Sequence, residues 1–283
     1  MNEEIGLELK SEAIAAFGLY LRGEDHAPDT IKKYLRDLKA LSVWLAGRPV
    51  TKELGAAWRE HLLATGHEPV TVNSMLAALN RYVGHCGQSW KVKFLKIQRR
   101  VFRDAARELD RGEYEKLVET ARADGQERLA LLIEAICSTG IRVSEVKYLT
   151  VEAARCGRAE ISLKGKIRVI MLTNKLCRKL LKYAKKQKIA SGEIFVTRSG
   201  RTLSRRQIWG EMKRLCEKAG VPPEKVYPHN LRHLFARTFY RVCQDIVKLA
   251  DVLGHSSIET TRIYLITTGA EHLKQMDRLG LVS

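Results

Sequence analysis

The strongest constraint on the fold is a single strand–turn–strand segment in a chain that otherwise carries helical periodicity. Residues 159–163 and 167–172 read as strands, and they flank the short glycine-containing turn Lys164-Gly165-Lys166, which is typical of a β-hairpin. A further short strand is predicted at 193–196. Elsewhere apolar residues recur at intervals of three and four, the spacing of amphipathic helices. The sequence therefore predicts a mainly helical protein with one small antiparallel sheet.

The pattern divides the 283 residues into three parts. Residues 1–90 predict a four-helix domain, in which a helix begins near Pro28 with Asp29 or Thr30 as its N-cap. Residues 91–107 form a basic linker, which is either simply solvated or tracks a phosphate backbone. Residues 108–283 predict an α+β domain that contains the hairpin, with helices over 111–122, 126–138, 173–188, 204–219, 228–240, 244–253, 258–267 and 270–279.

Charge is the clearest signal in the composition. The chain has 50 Lys and Arg against 32 Asp and Glu, a formal net charge of +18, which favours polyanionic partners. Residues 155–188 alone hold twelve Lys and Arg against Glu160. On charge alone, a ribosome-associated or membrane-surface protein remains an alternative to a DNA-binding protein.

The remaining composition concerns the cellular compartment. No run of eighteen apolar residues is present, so no membrane span is predicted. The six cysteines include no C-x-x-C pair, which indicates reduced thiols in a cytosol. Met1 to Lys10 carries acids where a signal peptide has a basic region. We expect a cytoplasmic protein.

An ordered series of polar residues points to covalent chemistry on a phosphodiester. Arg142 follows Gly140, where one helix ends and another begins, and Arg232 follows Pro228 near a helix start. The full series is Arg142, Lys164, His229, Arg232, His233, His255 and Tyr264. A tyrosine is a possible nucleophile, arginines hold phosphoryl oxygens, and lysine or histidine moves protons.

A metal site is the main alternative for the histidines. His229 and His233 are four residues apart, a spacing that zinc sites also use, but the motif lacks the Glu of H-E-x-x-H and has no evident third ligand. No Walker A motif and no acidic metal cluster is present. The prediction is a reaction with no metal and no cofactor.

Three motifs carry a resemblance to a known family. Residues 139–145 (TGIRVSE), the series His229-x-x-Arg232-His233, and Leu253-Gly254-His255 followed by Tyr264 resemble the conserved boxes of the tyrosine recombinase (phage integrase) family, especially its small Xer-like members. The resemblance covers nearly the whole chain. It implies an N-terminal core-binding (SAM-like) domain that binds DNA, and a C-terminal catalytic domain.

The resemblance also implies a role for each site residue. Arg142 and Arg232 would neutralise the non-bridging oxygens of the scissile phosphate. His229 and His255 would hydrogen-bond the same phosphate, with His229 helping to deprotonate the nucleophile. Tyr264 would attack, leaving a 3′-phosphotyrosine and a free 5′-hydroxyl, while Glu145 braces the site with His233 in support.

The lysine departs from the family pattern. In members of the family this turn often has the sequence Lys-Gly-x-Lys-x-Arg, whereas residues 164–168 (KGKIR) are one residue shorter. Lys164 is predicted to be the general acid for the leaving 5′-oxygen, and Lys166 is the alternative. Contacts to DNA are predicted for Lys91, Lys93, Lys96, Arg99, Arg100, Arg103, Lys166 and Arg168.

Assembly is predicted from the C-terminal tail. Ala270, Leu273, Met276 and residues 279–282 form an apolar stripe, which either packs on its own domain or docks into a neighbouring protomer. The resemblance implies a tetrameric synapse on paired sites of double-stranded DNA, in a nucleoid-associated protein. The sequence does not distinguish a mobile element (phage, transposon or invertible segment) from a chromosome-dimer site. A monomeric type IB topoisomerase-like enzyme and an architectural DNA-binding protein with an unused site are the alternatives.

Overall fold

The computed structural model describes residues 6–98, 105–163, 166–265 and 269–280. The chain forms two compact units, residues 1–99 and 100–283, so the division falls within the segment predicted as a linker. In the described ranges, no helix is both long enough and apolar enough to cross a membrane.

The first unit consists of the four predicted helices. They are α1 (Ser11–Gly23), α2 (Pro28–Leu45), α3 (Lys52–Ala64) and α4 (Pro69–His85). Their apolar faces meet in one core, in which Phe17, Trp58 and Leu76 are almost fully buried. The predicted cap of α2 is wrong: Pro28 is already helical, and the N-cap residue is Ala27, with no side-chain hydrogen bond. Proline has the φ angle of a first helical turn, so the helix begins before Asp29 and Thr30.

The chain beyond α4 runs back along the first unit as an extended segment. The amide of Asn80 accepts from the Val92 N–H at 2.9 Å and donates to the Val92 carbonyl at 3.0 Å. Asn73 makes the same pair of bonds with Leu95, at 2.7 and 2.9 Å. Val92 is buried in the core, whereas Lys91, Lys93 and Lys96 are exposed. The first part of the basic segment is therefore held on the first unit with its lysines in solvent.

The second unit is built around α6, which is the most deeply buried helix of its core. Its elements are α5 (Arg111–Ala123), α6 (Glu127–Thr139), a 3₁₀ helix (Val143–Tyr148), α7 (Val151–Cys156), β1 (Arg158–Leu163), β2 (Lys166–Met171), α8 (Asn174–Lys186), α9 (Arg205–Ala219), α10 (Pro228–Cys243), α11 (Ile246–Leu253), α12 (Ile258–Arg262) and α13 (Gly269–Asp277).

The predicted hairpin is confirmed, with one change at its turn. β1 and β2 pair antiparallel from Arg158↔Met171 to Leu163↔Lys166, so Lys166 belongs to the strand rather than to the turn. Lys164 and Gly165 lie outside the described residues. Ala159, Ile161 and Ile170 are buried on the face towards the core.

Two sequence predictions for this unit are wrong. The predicted strand at 193–196 does not form, because Glu193 and Val196 make isolated bridges to two different segments, at Thr150 and Thr202. The helix predicted over 258–267 ends at Arg262. The backbone continues in turns closed by hydrogen bonds between residues i and i+3, such as that from the Tyr264 N–H to the Thr261 carbonyl at 3.0 Å. The end of that prediction, at 266–267, lies outside the described residues.

Candidate active site

Gly140 sets the position of Arg142. It ends α6 in the left-handed conformation, with φ of 64°, which glycine adopts without steric cost. A Cβ at this position would also collide with the ring of Phe235 on α10. The chain then turns into the 3₁₀ helix with Arg142 at its start. Only glycine permits both the turn and the close packing of α10 against it.

Glu145 is a buried carboxylate that organises two arginines. It is only 2% exposed. One oxygen accepts from the Arg142 guanidinium at 3.0 Å. The other accepts from the Arg142 backbone N–H at 2.8 Å and from Arg168 on β2 at 2.6 Å. Since one carboxylate faces two guanidinium groups, the cluster retains a net positive charge, and both arginines are fixed in orientation.

The end of α11 holds three arginines through three consecutive carbonyls. The Val252 carbonyl accepts from Arg168 at 3.4 Å, that of Leu253 from Arg232 at 2.7 Å, and that of Gly254 from Arg142 at 3.3 Å. The last carbonyls of a helix have no partner within it and carry partial negative charge, so they suit guanidinium donors.

Gly254 makes this arrangement sterically possible. It has φ of 63°, and a Cβ there would collide with the Arg168 side chain. The Leu253-Gly254-His255 motif thus positions the arginines as well as its own histidine.

Arg232 is the most deeply buried of these cations. It is 1% exposed, and its guanidinium also donates to the Gly140 carbonyl and to His255 Nε2, the latter at 2.9 Å. Burial, followed by the charge of Arg142, lowers the pKa of Arg232 to about 10, while the nearby Tyr264 hydroxyl acts in the opposite direction. Arg232 is therefore still a cation at neutral pH. Such a buried, water-excluded cation is strongly attracted to an anion.

Tyr264 lies among three histidine rings. Its ring stacks on His255 with centroids 5.7 Å apart and planes at 11°, and it meets His233 edge-on at 4.6 Å. The His229 ring lies at 6.3 Å. Tyr264 is 3% exposed and packs with Leu249 and Leu253 of α11. The turns that follow α12 carry Tyr264 into this core.

The tautomer of His255 follows from its two partners. Arg232 can only donate, so His255 Nε2 is an acceptor and the ring hydrogen lies on Nδ1. Nδ1 is 2.8 Å from the hydroxyl of Thr261, which is completely buried in α12. Thr261 is therefore a positioning residue that sequence reasoning missed, and no motif signalled it.

The histidines are neutral at neutral pH. Burial, followed by the charge of Arg232, lowers the pKa of His255 to about 4. Burial and neighbouring His229 lower the pKa of His233 to about 3. Partial desolvation, followed by the charges of Arg232 and Arg142, also lowers the pKa of His229, although part of this side chain is exposed to solvent. A neutral imidazole can accept a proton at one ring nitrogen and donate a hydrogen bond from the other, as the assigned roles require.

The structure brings most of the predicted site residues together. They are Arg142, Glu145, His229, Arg232, His233, His255 and Tyr264. Arg168, predicted only as a DNA contact, joins them through Glu145. Lys164, Arg99, Arg100 and Arg103 lie outside the described residues, and Lys166 is located only by its backbone in β2. In the described part of the chain, no third His, Cys, Asp or Glu joins His229 and His233 as a metal ligand.

This geometry defines a class of enzyme. A tyrosine hydroxyl among neutral histidines, next to three oriented arginines, provides the groups for phosphoryl transfer to a tyrosine. The sequence profile of the phage integrase family matches residues 107–270. That match spans more than half of the chain, which belongs to this family. It is a tyrosine site-specific DNA recombinase, and the relatives that it resembles include Xer recombinases.

Related proteins resemble the chain over nearly its full length. Tyrosine recombinase XerA of Pyrococcus furiosus is 29% identical over 97% of this chain and 96% of its own. XerD of Vibrio cholerae is 26% identical over 88% of this chain and 89% of its own.

Solved structures share the fold. The Tn1549 transposon integrase in complex with transposon right end DNA has a TM-score of 0.73 at 16% identity, and covers 95% of this chain and 99% of its own. A lambda integrase tetramer bound to a Holliday junction has a TM-score of 0.72 at 18% identity, over 93% and 78%. The described residues thus have the architecture of DNA-acting integrases.

Proposed function

We propose that the chain cuts and rejoins DNA through a 3′-phosphotyrosine bond formed by Tyr264. The observation that carries this proposal is the placement of the buried Tyr264 ring against His255, whose Nε2 is bonded to Arg232. The phenolic oxygen attacks the scissile phosphorus, the bond to the 5′-oxygen breaks, and a general acid protonates that oxygen. The phosphotyrosine retains the energy of the cleaved bond, so religation needs neither ATP nor a metal.

Each cluster has a distinct role in this proposal. Arg142 and Arg232 bind the two non-bridging oxygens, because both present guanidinium groups fixed by helix-end carbonyls. His255 donates a hydrogen bond to the phosphate from Nε2, once Arg232 turns from this nitrogen to the phosphate and the ring hydrogen moves from Nδ1, which then accepts from the Thr261 hydroxyl. His229 accepts the phenolic proton, since it is at the surface, neutral and close to Tyr264. His233 supports the tyrosine ring, and Glu145 keeps Arg142 in place.

The general acid is proposed to be Lys164, with Lys166 as the alternative. A 5′-phosphorothiolate leaving group needs no protonation, so it should restore cleavage to a Lys164→Ala variant while an ordinary phosphodiester stays uncleaved. The measurement is the rate of covalent adduct formation on the two substrates. If Lys166→Ala shows this rescue and Lys164→Ala does not, the assignment moves to Lys166.

Residues 91–107 are proposed to follow the DNA backbone, so that both units bind one duplex as a clamp. The support is the exposure of Lys91, Lys93 and Lys96 on a segment that Asn73 and Asn80 hold in place. Changing the three lysines to Gln should reduce the slope of log affinity against log salt by up to about 3, since each phosphate contact contributes about 0.9. An unchanged slope would mean that the segment is only a solvated connection.

Tail exchange between protomers is the proposed basis of a tetramer on paired sites. α13 leaves large apolar side chains in solvent, with Leu273 61% and Met276 52% exposed. Replacing both with Glu should leave single-site DNA binding intact but abolish synaptic complexes in gel-shift and light-scattering measurements. The exposed Leu19→Glu on α1 is a control for added charge. Unimpaired synapsis in this variant would mean that protomers associate through another surface, whereas a lack of synapsis in the unaltered protein would favour a monomeric, topoisomerase-like enzyme.

The proposed setting is the cytoplasm, with the protein associated with the nucleoid and encoded by a mobile element. The support is the net charge of +18 and the family of DNA recombinases to which the chain belongs. Sequencing the DNA that flanks the gene tests this proposal: recombination sites at the ends of an inserted segment are the expected result. A lone chromosomal site would indicate a housekeeping role instead.

A further inference from the structure

Helix α8 presents a stripe of cations on its outer face. Leu176, Leu180 and Tyr183 bury the inner face in the core of the second unit. The outer face carries Lys175, Arg178, Lys182 and Lys185, all exposed, at successive intervals of three, four and three residues. That spacing aligns them along one side of the helix. We refer to these four residues as the α8 stripe.

The acids near the stripe are already engaged by other cations. Lys179 pairs with Glu134 at 2.7 Å, and Lys186 pairs with Glu127 at 2.5 Å, both on α6. Across the described residues, no ion pair involves a member of the α8 stripe. Arg155 of α7 lines the same groove as Lys185 and extends the positive surface. A solvated helix face commonly mixes both signs of charge, whereas this one is entirely positive.

The two ion pairs also fix the direction of the stripe. The earlier residue of α8 meets the later residue of α6, so the helices are antiparallel. Glu127 is at the start of α6, and Gly140, whose carbonyl binds Arg232, is at its end. At 1.5 Å per residue these ends are about 20 Å apart. The stripe therefore runs from beside the catalytic end of α6 back towards its far end.

Lys186, which follows the last residue of the stripe, pairs with Glu127, about 20 Å along α6 from the carbonyl that binds Arg232. The far end of the stripe, with Arg155 beside it, is therefore remote from the phosphate that the catalytic arginines would bind. We propose that the α8 stripe is a second DNA-binding surface, which holds the phosphate backbone of a duplex other than the one in the active site.

The test is a capture assay with the full-length protein. A biotinylated 40-bp duplex is immobilised and loaded with protein, and a dye-labelled 40-bp duplex of unrelated sequence is then added. We expect the Arg178→Gln, Lys182→Gln, Lys185→Gln variant to retain the first duplex and to capture at least tenfold less of the second. The salt slope for capture should fall by about 3, for three lost phosphate contacts. Exposed helical positions tolerate Gln, so folding should be unaffected.

A matched variant controls for the loss of charge. Lys116→Gln, Arg241→Gln, Lys248→Gln removes three exposed cations from other helices of the same unit, and it should capture the second duplex as the unaltered protein does. Equal capture by the stripe variant would overturn the inference. So would capture that is lost in the Leu273→Glu, Met276→Glu variant but not in the stripe variant, because protomer association would then bridge the duplexes.

Failure of the inference can be told apart from failure of the proposed function. If the first duplex binds but no second duplex is captured, the stripe is not a DNA surface, and an acidic protein partner becomes the alternative. If the first duplex does not bind, the recombinase proposal itself is in question.

Discussion

Tyr264→Phe should abolish formation of the covalent protein–DNA adduct, with a loss on the order of 10⁴-fold or more, because the variant has no nucleophile. The substrate is a nicked suicide duplex that carries the recombination site, and the adduct is measured as a protease-sensitive species on a denaturing gel. DNA affinity should be nearly unchanged. The ring contacts with His255 and His233 do not need the hydroxyl, and only that atom is removed.

Tyr240→Phe is the matched control. Tyr240 is also on the second unit and packs at the edge of the same small core, where Tyr264 is buried. It should form adduct at the unaltered rate. Adduct at the normal level from Tyr264→Phe would eliminate Tyr264 as the nucleophile, and loss of adduct from Tyr240→Phe would show that the assay reports on folding.

Arg232→Lys should lower the cleavage rate by roughly 10²–10³-fold, the typical effect of removing one electrostatic contact to a developing charge. Arg232 bonds the Gly140 and Leu253 carbonyls and His255 at once, through a planar fork of donors. A lysine is a point charge on a flexible stem and cannot reproduce that geometry. The measurement is single-turnover cleavage, with thermal unfolding followed in parallel.

Arg237→Lys, on the same helix, is the control variant. It shows whether replacing a buried arginine lowers cleavage only by destabilising the fold. Arg237 is also largely buried, and it pairs with Glu108 and donates to the Leu109 carbonyl, both at 2.8 Å. It should affect thermal stability more than cleavage. If both variants lose cleavage to the same extent, the role assigned to Arg232 is not supported.

Local patterns account for much of the fold. The hairpin and the amphipathic helices were predictable because alternation and three-to-four spacing report which faces are buried. Gly140 was predictable as a helix end because glycine commonly interrupts a helical pattern. The strand predicted at 193–196 failed because strand formation depends on partners, and Glu193 and Val196 pair with different segments. The cap predicted for α2 failed because Pro28 itself begins the helix.

The site was only partly readable from the motifs. The residues predicted as catalytic came from their order along the chain and from the family resemblance, and their chemical roles remain predictions. Arg168 was predicted only to touch DNA, yet it shares Glu145 with Arg142. That pairing joins residues 23 positions apart through a strand register, and sequence spacing does not show it.

The sequence by itself determined the helical character, the single hairpin, the excess of positive charge and the family, because each depends on local periodicity, composition or short motifs. Tertiary structure alone decided that three carbonyls at the end of α11 would hold three arginines, that Thr261 would orient His255, and that Tyr264 would be buried among histidines. The arginine contacts join segments distant along the chain, and those of Thr261 and Tyr264 with His255 depend on how the chain turns between α11 and α12. They arise when helices pack, and no local pattern records which distant groups will meet.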